Sequence, residues 1–130
     1  MKFTQGFYIN GEYFDAPIVS VKRKAPSLDK YAQRTEDGDL HREEIGVYVN
    51  YEMALGNESD YPDGVYQHLW ETLTAANEFI DVTIPEFGSS VTFRCYNSEV
   101  DDEWDRVEPD RIYYKNLTLE FVAKKPRNTP

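Results

Sequence analysis

Ile45-Gly-Val-Tyr-Val-Asn-Tyr-Glu-Met-Ala-Leu55 carries the cleanest alternation in this 130-residue chain. Ile45, Val47, Val49, Tyr51, Met53 and Leu55 take every second position, with Asn50 and Glu52 between them. Successive side chains of a strand point to opposite faces, so a period of two predicts a strand with one apolar face. That face needs cover, and the flanking sequence offers it.

Upstream, the segment Phe3 to Phe14 holds Asn10-Gly11 between Phe7-Tyr8-Ile9 and Glu12-Tyr13-Phe14. Asn and Gly both tolerate the positive φ of a type I′ turn, so this reads as a hairpin. After Pro17, Ile18 to Lys24 alternates as a further strand. Downstream, Val65, Leu69, Leu73 and Ala76 recur at helical spacing beside Trp70. This predicts one amphipathic helix over about residues 62–77, ended at Asn77. Ile80, Val82 and Ile84 then alternate up to Pro85, and Gly88-Ser-Ser90 marks a turn. Val91 to Tyr96 reads as a strand, the acidic Glu99-Val-Asp-Asp-Glu103 as a turn, and Trp104 to Val107 as a strand. Beyond Pro109-Asp110, Leu117, Leu119, Phe121 and Ala123 line one face of a long last strand. The basic, proline-bearing tail from Lys124 to Pro130 is expected to be extended and exposed.

Between the second and third β segments the pattern stops. Residues 25–44 hold Pro26, Gly38 and the polar run Gln33 to Asp39, with Leu28, Tyr31 and Leu40 as the few apolar anchors. They read as a long loop, and loops of that length are usually functional or disordered. The expected fold is mainly β (α+β), a single domain over 1–130. Its plan is an antiparallel β-sandwich or partly closed barrel flanked by one helix, because each one-sided strand must bury its apolar face.

Composition narrows the function. Aromatic residues make up 15% of the chain, including ten Tyr, which favours strands. The net charge is −10, opposite to the basic footprint that phosphate recognition requires, so sequence-specific nucleic-acid binding is not expected. No stretch approaches the apolar length of a membrane helix and no secretory signal opens the chain, so a soluble, cytoplasmically made protein is expected. The single cysteine, Cys95, shares a face with Val91 and Phe93 and reads as a small buried hydrophobe.

No catalytic, cofactor or metal site is read. His41 and His68 lack the partners that zinc requires. Asp37, Asp39, Glu43 and Glu44 lie in a polar stretch, where solvated carboxylates are the better reading than an acid/base pair. Asp60, Asp63, Asp101 and Asp102 lack the spacing of a calcium loop. The aromatics Tyr48, Tyr96, Trp104, Tyr113 and Tyr114 leave open a small carbohydrate- or protein-binding module, although such residues also pair in ordinary sheets.

The stretch Tyr31-Ala-Gln-Arg-Thr-Glu-Asp-Gly-Asp-Leu-His-Arg-Glu-Glu-Ile-Gly46 is more specific. It resembles the signature of small structural proteins encoded in the tail regions of phages and prophages of Gram-positive bacteria. Those sequences open with a strand and an Asn-Gly-type turn, as in Phe7 to Gly11, and carry an R-T-x-D-G-x-L-x-R loop, here Arg34 to Arg42. An alternating strand follows, then a helix with a Leu-Trp pair such as Leu69-Trp70, then a strand and basic end as in Leu117 to Arg127. The resemblance implies a tail-tube-like β-sandwich serving as a tube, distal-tail hub or tail-completion subunit. It implies a homo-oligomeric ring, a hexamer in that plan, touching adjacent tail proteins in the virion after assembly in the host cytoplasm. It also implies that the long loop reaches a neighbour through Tyr31, Gln33, Arg34, Thr35, Asp37, Gly38, Leu40 and Arg42. Arg34 and Arg42 would donate to the neighbour's acidic groups, or else pair locally and staple the loop to its own domain. In a ring, part of the negative charge would face a lumen and repel passing DNA.

Overall fold

The Asn10-Gly11 turn forms as expected. Both residues take positive φ (51° and 83°), closing β1 (Phe7–Ile9) onto β2 (Glu12–Phe14) with Ile9 opposite Glu12. The computed structural model describes residues 6–86 and 88–130; the start of the expected first segment, Phe3 to Gln5, lies outside the described residues. The strands that follow are β3 (Ile18–Lys24), β4 (Ser27–Arg34), β5 (Leu40–Val47), β6 (Asn50–Leu55), β7 (Ile80–Glu86), β8 (Ser89–Glu108) and β9 (Arg111–Ala123). One helix, α1 (Val65–Thr74), lies between β6 and β7.

Seven strands form one antiparallel sheet in the order β2-β1-β7-β8-β9-β6-β3, curled into a half-barrel. The fold is therefore mainly β with one helix, as the alternation predicts. The quoted stretch supplies its centre: Tyr51, Met53 and Leu55 of β6 stand opposite Phe121, Leu119 and Leu117 of β9. All six are buried. Phe7 meets Phe121 edge-on, with ring centroids 6.1 Å apart, and Phe14 stacks on Phe7 at 6.3 Å. Cys95 is fully buried in this core, where burial pushes its thiol up to about 12.

The structure corrects four boundaries. Residues 25–44 are not a loop: β4 and β5 form an antiparallel hairpin, a separate two-stranded sheet. Both its faces are solvated, so it never needed the apolar alternation that marks a half-buried strand. The stretch Ile45–Leu55 is accordingly two strands, with Ile45 42% exposed at the root of the hairpin and the buried run starting at Val49. The helix is shorter than 62–77. It starts after Gly64, whose φ of 80° lies in the left-handed region that favours glycine, and stops where Ala75 turns extended. Its buried stripe is Tyr66, Leu69 and Leu73, and Ala76 is exposed. Finally, Glu99 to Glu103 is no turn. β8 runs straight through it, pairing with β9 past three register shifts; Glu99, Asp101 and Glu103 are exposed, while Asp102 is half-buried. Among the described residues no helix is long and apolar enough to cross a membrane.

Candidate functional site

The β4–β5 hairpin leaves the half-barrel as an arm. Its strands pack on each other and make no comparable contact with any other strand or the helix. Eight residues of β4, rising about 3.4 Å each, give it a length of roughly 24 Å. Two register shifts sit at its root, between Leu28 and Asp29 and between Asp29 and Tyr31. Bulges of this kind bend and twist a ribbon, which aims the arm away from the sheet.

Directly paired residues share a face. On one face Arg42 lies between Asp29 and Glu44: its Nε donates to Asp29 Oδ1 at 3.0 Å, its Nη2 to Ser27 Oγ at 2.8 Å, and it ion-pairs with the Glu44 carboxylate. The Ser27 hydroxyl and then the Arg42 guanidinium hold Glu44 below the ordinary carboxylate range. This is a staple that fixes the ribbon's register. On the other face Tyr31 stands opposite Glu43 and Gln33 opposite His41, with Tyr31 51% exposed.

The tip is a defined turn. The Thr35 amide donates to the Asp39 carbonyl and the Gly38 amide to the Thr35 carbonyl, both at 2.9 Å, with Gly38 at φ 86°. Asp37 accepts from the Thr35 hydroxyl and, at 3.1 Å, from the Asp39 amide, and that Thr35 bond leads in lowering its carboxyl pKa. Arg34 Nη1 donates to the Gly38 carbonyl at 2.9 Å, and Leu40, opposite Arg34, is 47% exposed. All eight residues assigned to the long loop thus lie on the arm. Arg34 and Arg42 are engaged within it, the local alternative left open by the sequence.

Asp37 and Glu44 each take part in hydrogen bonds that lower their carboxyl pKa, Thr35 leading for the first and Ser27 for the second, and Asp39 faces His41 at 3.9 Å on an exposed surface. His68 pairs instead with Glu12, at 2.9 Å, and stacks on Phe14.

Of the five aromatics noted in the sequence, only Trp104 and Tyr114 come together in one cleft, edge-to-face at 6.1 Å. Tyr66 and Trp70 of α1 complete a cleft of about 170 Å³ with them, and the Tyr66 hydroxyl donates to Asp102 at 2.9 Å. The sequence places Trp70 beside the helix stripe but does not single out Tyr66, although their spacing of four on a helix puts both on one side. The Arg106 and Arg111 guanidiniums both lie over the Tyr113 ring, and Tyr48 sits at the arm's root, where its amide donates to the Pro26 carbonyl.

The tail is extended and, Pro126 apart, exposed, as expected, and it is also docked: Asn128 bridges to Val47, with the Val47 amide donating to the Asn128 carbonyl at 2.8 Å and the Arg127 amide to the Val47 carbonyl at 2.9 Å. Arg127 lies over the rings of Tyr51 and Phe93. The tail therefore straps the arm's root to the sheet. In comparison with known proteins, no protein-family model matches this sequence and no curated protein matches it.

Proposed function

We propose that this chain is a structural, non-enzymatic subunit of a phage or prophage tail, a tube, distal-tail hub or completion-ring component that assembles through its arm. The observation that carries this reading is the arm itself. A two-stranded ribbon is marginally stable alone in water, yet this one is stapled by Arg42, capped by an ordered turn and strapped at its root. Such reinforcement fits a part that must keep its shape before a partner covers it. Tyr31 and Leu40, half-exposed, would then be covered by the neighbouring copy.

The acidic face supports a lumen. Glu52, Glu120 and Glu99 stand in register across β6, β9 and β8, an arrangement of like charges that costs stability and is bridged on one side by Lys24. Such a row repels a passing polyanion. The alternative, a small carbohydrate- or protein-binding module, is favoured by one observation, the aromatic cleft at Trp104 and Tyr114.

Measuring particle mass by light scattering over a wide concentration range tests the proposal. The intact chain is expected to form rings or stacked rings, and a variant with residues 29–45 replaced by a short turn is expected to stay monomeric while folded. A monomeric intact chain whose Trp104 emission changes with oligosaccharides would favour the module instead.

A further inference from the structure

At the root of the arm, between the start of β8, the end of β9 and the tail, lies an open groove of about 630 Å³. Its floor is apolar, formed by Val49, Val91, Phe93 and Pro126, and its rim carries Lys124 and Lys125. Arg94, also on the rim, is neutralised by Asp81, which accepts from its Nε at 3.0 Å and its Nη2 at 3.2 Å. Arg127 also lines the groove, over the Phe93 ring, so in a chain of net charge −10 this is a concentration of cations beside partly exposed apolar surface. At the far end of the arm the signs are reversed. Glu36, Asp37 and Asp39 crowd the tip turn, with Arg34 the cation beside them and Leu40 half-exposed.

Resting on the reading of the arm as an assembly element, we infer that the acidic arm tip of one copy seats in the basic, apolar-floored groove of a second copy. The geometry forbids the intramolecular version. Tip and groove lie at opposite ends of a ribbon roughly 24 Å long, whose bulges sit at its root and whose ladder is regular from Tyr31 to Arg34, so the tip does not fold back to fill its own chain's groove. A non-reciprocal pairing leaves one free tip and one free groove. Such a heterologous contact closes into a ring or propagates as a filament, whereas a reciprocal exchange of tips would stop at a dimer. In the seated arrangement Leu40 meets the apolar floor, and Glu36 and Asp39 meet Lys124 and Lys125. Asp37 is reserved for the turn, because it already accepts from Thr35 and Asp39.

A charge-reversal exchange tests this. One variant carries Lys124→Glu with Lys125→Glu, the other Glu36→Lys with Asp39→Lys; all four side chains are exposed, and thermal unfolding checks that each variant folds. Each variant alone is expected to self-associate on the order of a hundredfold more weakly than the intact chain, since like charges then face each other. The equimolar mixture is expected to recover association, because each tip now finds an opposite groove. Variants that associate as the intact chain does, or a mixture that recovers nothing, overturn the assignment. If excising residues 29–45 still separates the copies, only the seat is wrong. If excision changes nothing, or the intact chain is monomeric at every concentration, the reading of the arm falls as well.

Discussion

Replacing Phe121 with alanine is expected to lower the free energy of unfolding by about 3–5 kcal/mol, the range for truncating a large buried aromatic. Phe121 is fully buried on β9, paired with Tyr51 of β6 and edge-on to Phe7 of β1. It therefore joins two distant parts of the curled sheet, and the cavity left by its loss would be lined by elements fixed by their own ladders. Such a site collapses poorly, which places the cost high in the range. Equilibrium unfolding in urea measures it. Trp104→Ala is the control: at 53% exposure on the outer half of β8 it should cost about 1 kcal/mol or less. Equal costs for the two would mean that the core does not lie where the register of β6 and β9 puts it.

Gly46→Ala is expected to unseat the tail from the arm's root. A Cβ at Gly46 would lie 2.6 Å from Pro126 Cβ and 2.7 Å from the Asn128 carbonyl oxygen, and the second of these is backbone that cannot rotate away. Relief requires the strap to lift, breaking the three hydrogen bonds between Val47 and residues 127 and 128. The loss is about 1–3 kcal/mol, the scale for hydrogen bonds left unmade. The core does not depend on the strap, so the main unfolding transition should persist at a slightly lower midpoint. Carboxypeptidase digestion should then trim the variant's tail well ahead of that of the intact chain. A tail equally protected in both would show that the strap is not seated at Gly46. Because the tail also walls the groove, the same substitution should weaken self-association.

What the sequence disclosed follows from where burial is one-sided. Tyr51, Met53 and Leu55, like Leu117, Leu119 and Phe121, alternate because only one face of their strands meets the core, so the half-barrel was legible. Asn10-Gly11 was legible for a local reason, the positive φ that both residues accept. The arm was not, since a ribbon solvated on both faces has no apolar period and its polar run looks the same as a loop. The acidic segment of β8 hides its alternation for another reason: one of the two inward-facing positions, Val100 and Asp102, is itself a carboxylate. The helix was legible in kind but overlong at both ends, and its stripe included Ala76 where Tyr66 does the burying; the position of Gly64 settles where the first turn begins.

The candidate site was legible as a stretch and not as a shape. The eight residues from Tyr31 to Arg42 do occupy one projecting element. That Arg42 reaches Asp29 depends on the register of β4 against β5, which no spacing in the sequence reveals. The groove depends on longer-range folding still, because the tail that walls it is more than 70 residues from Val49 along the chain. Tertiary register creates both features.

The central claim is that the arm is kept ready for another copy of the chain. Amide hydrogen exchange within the arm, followed as protein concentration rises, tests it most directly. In dilute solution the amides of the β4–β5 ladder should exchange far faster than those of β6 and β9, since nothing covers the ribbon. At concentrations where mass measurements report assembly, the same amides should slow sharply while the core is unchanged. Arm amides whose exchange is indifferent to concentration, in a chain that does assemble, would mean that the copies meet through some other surface.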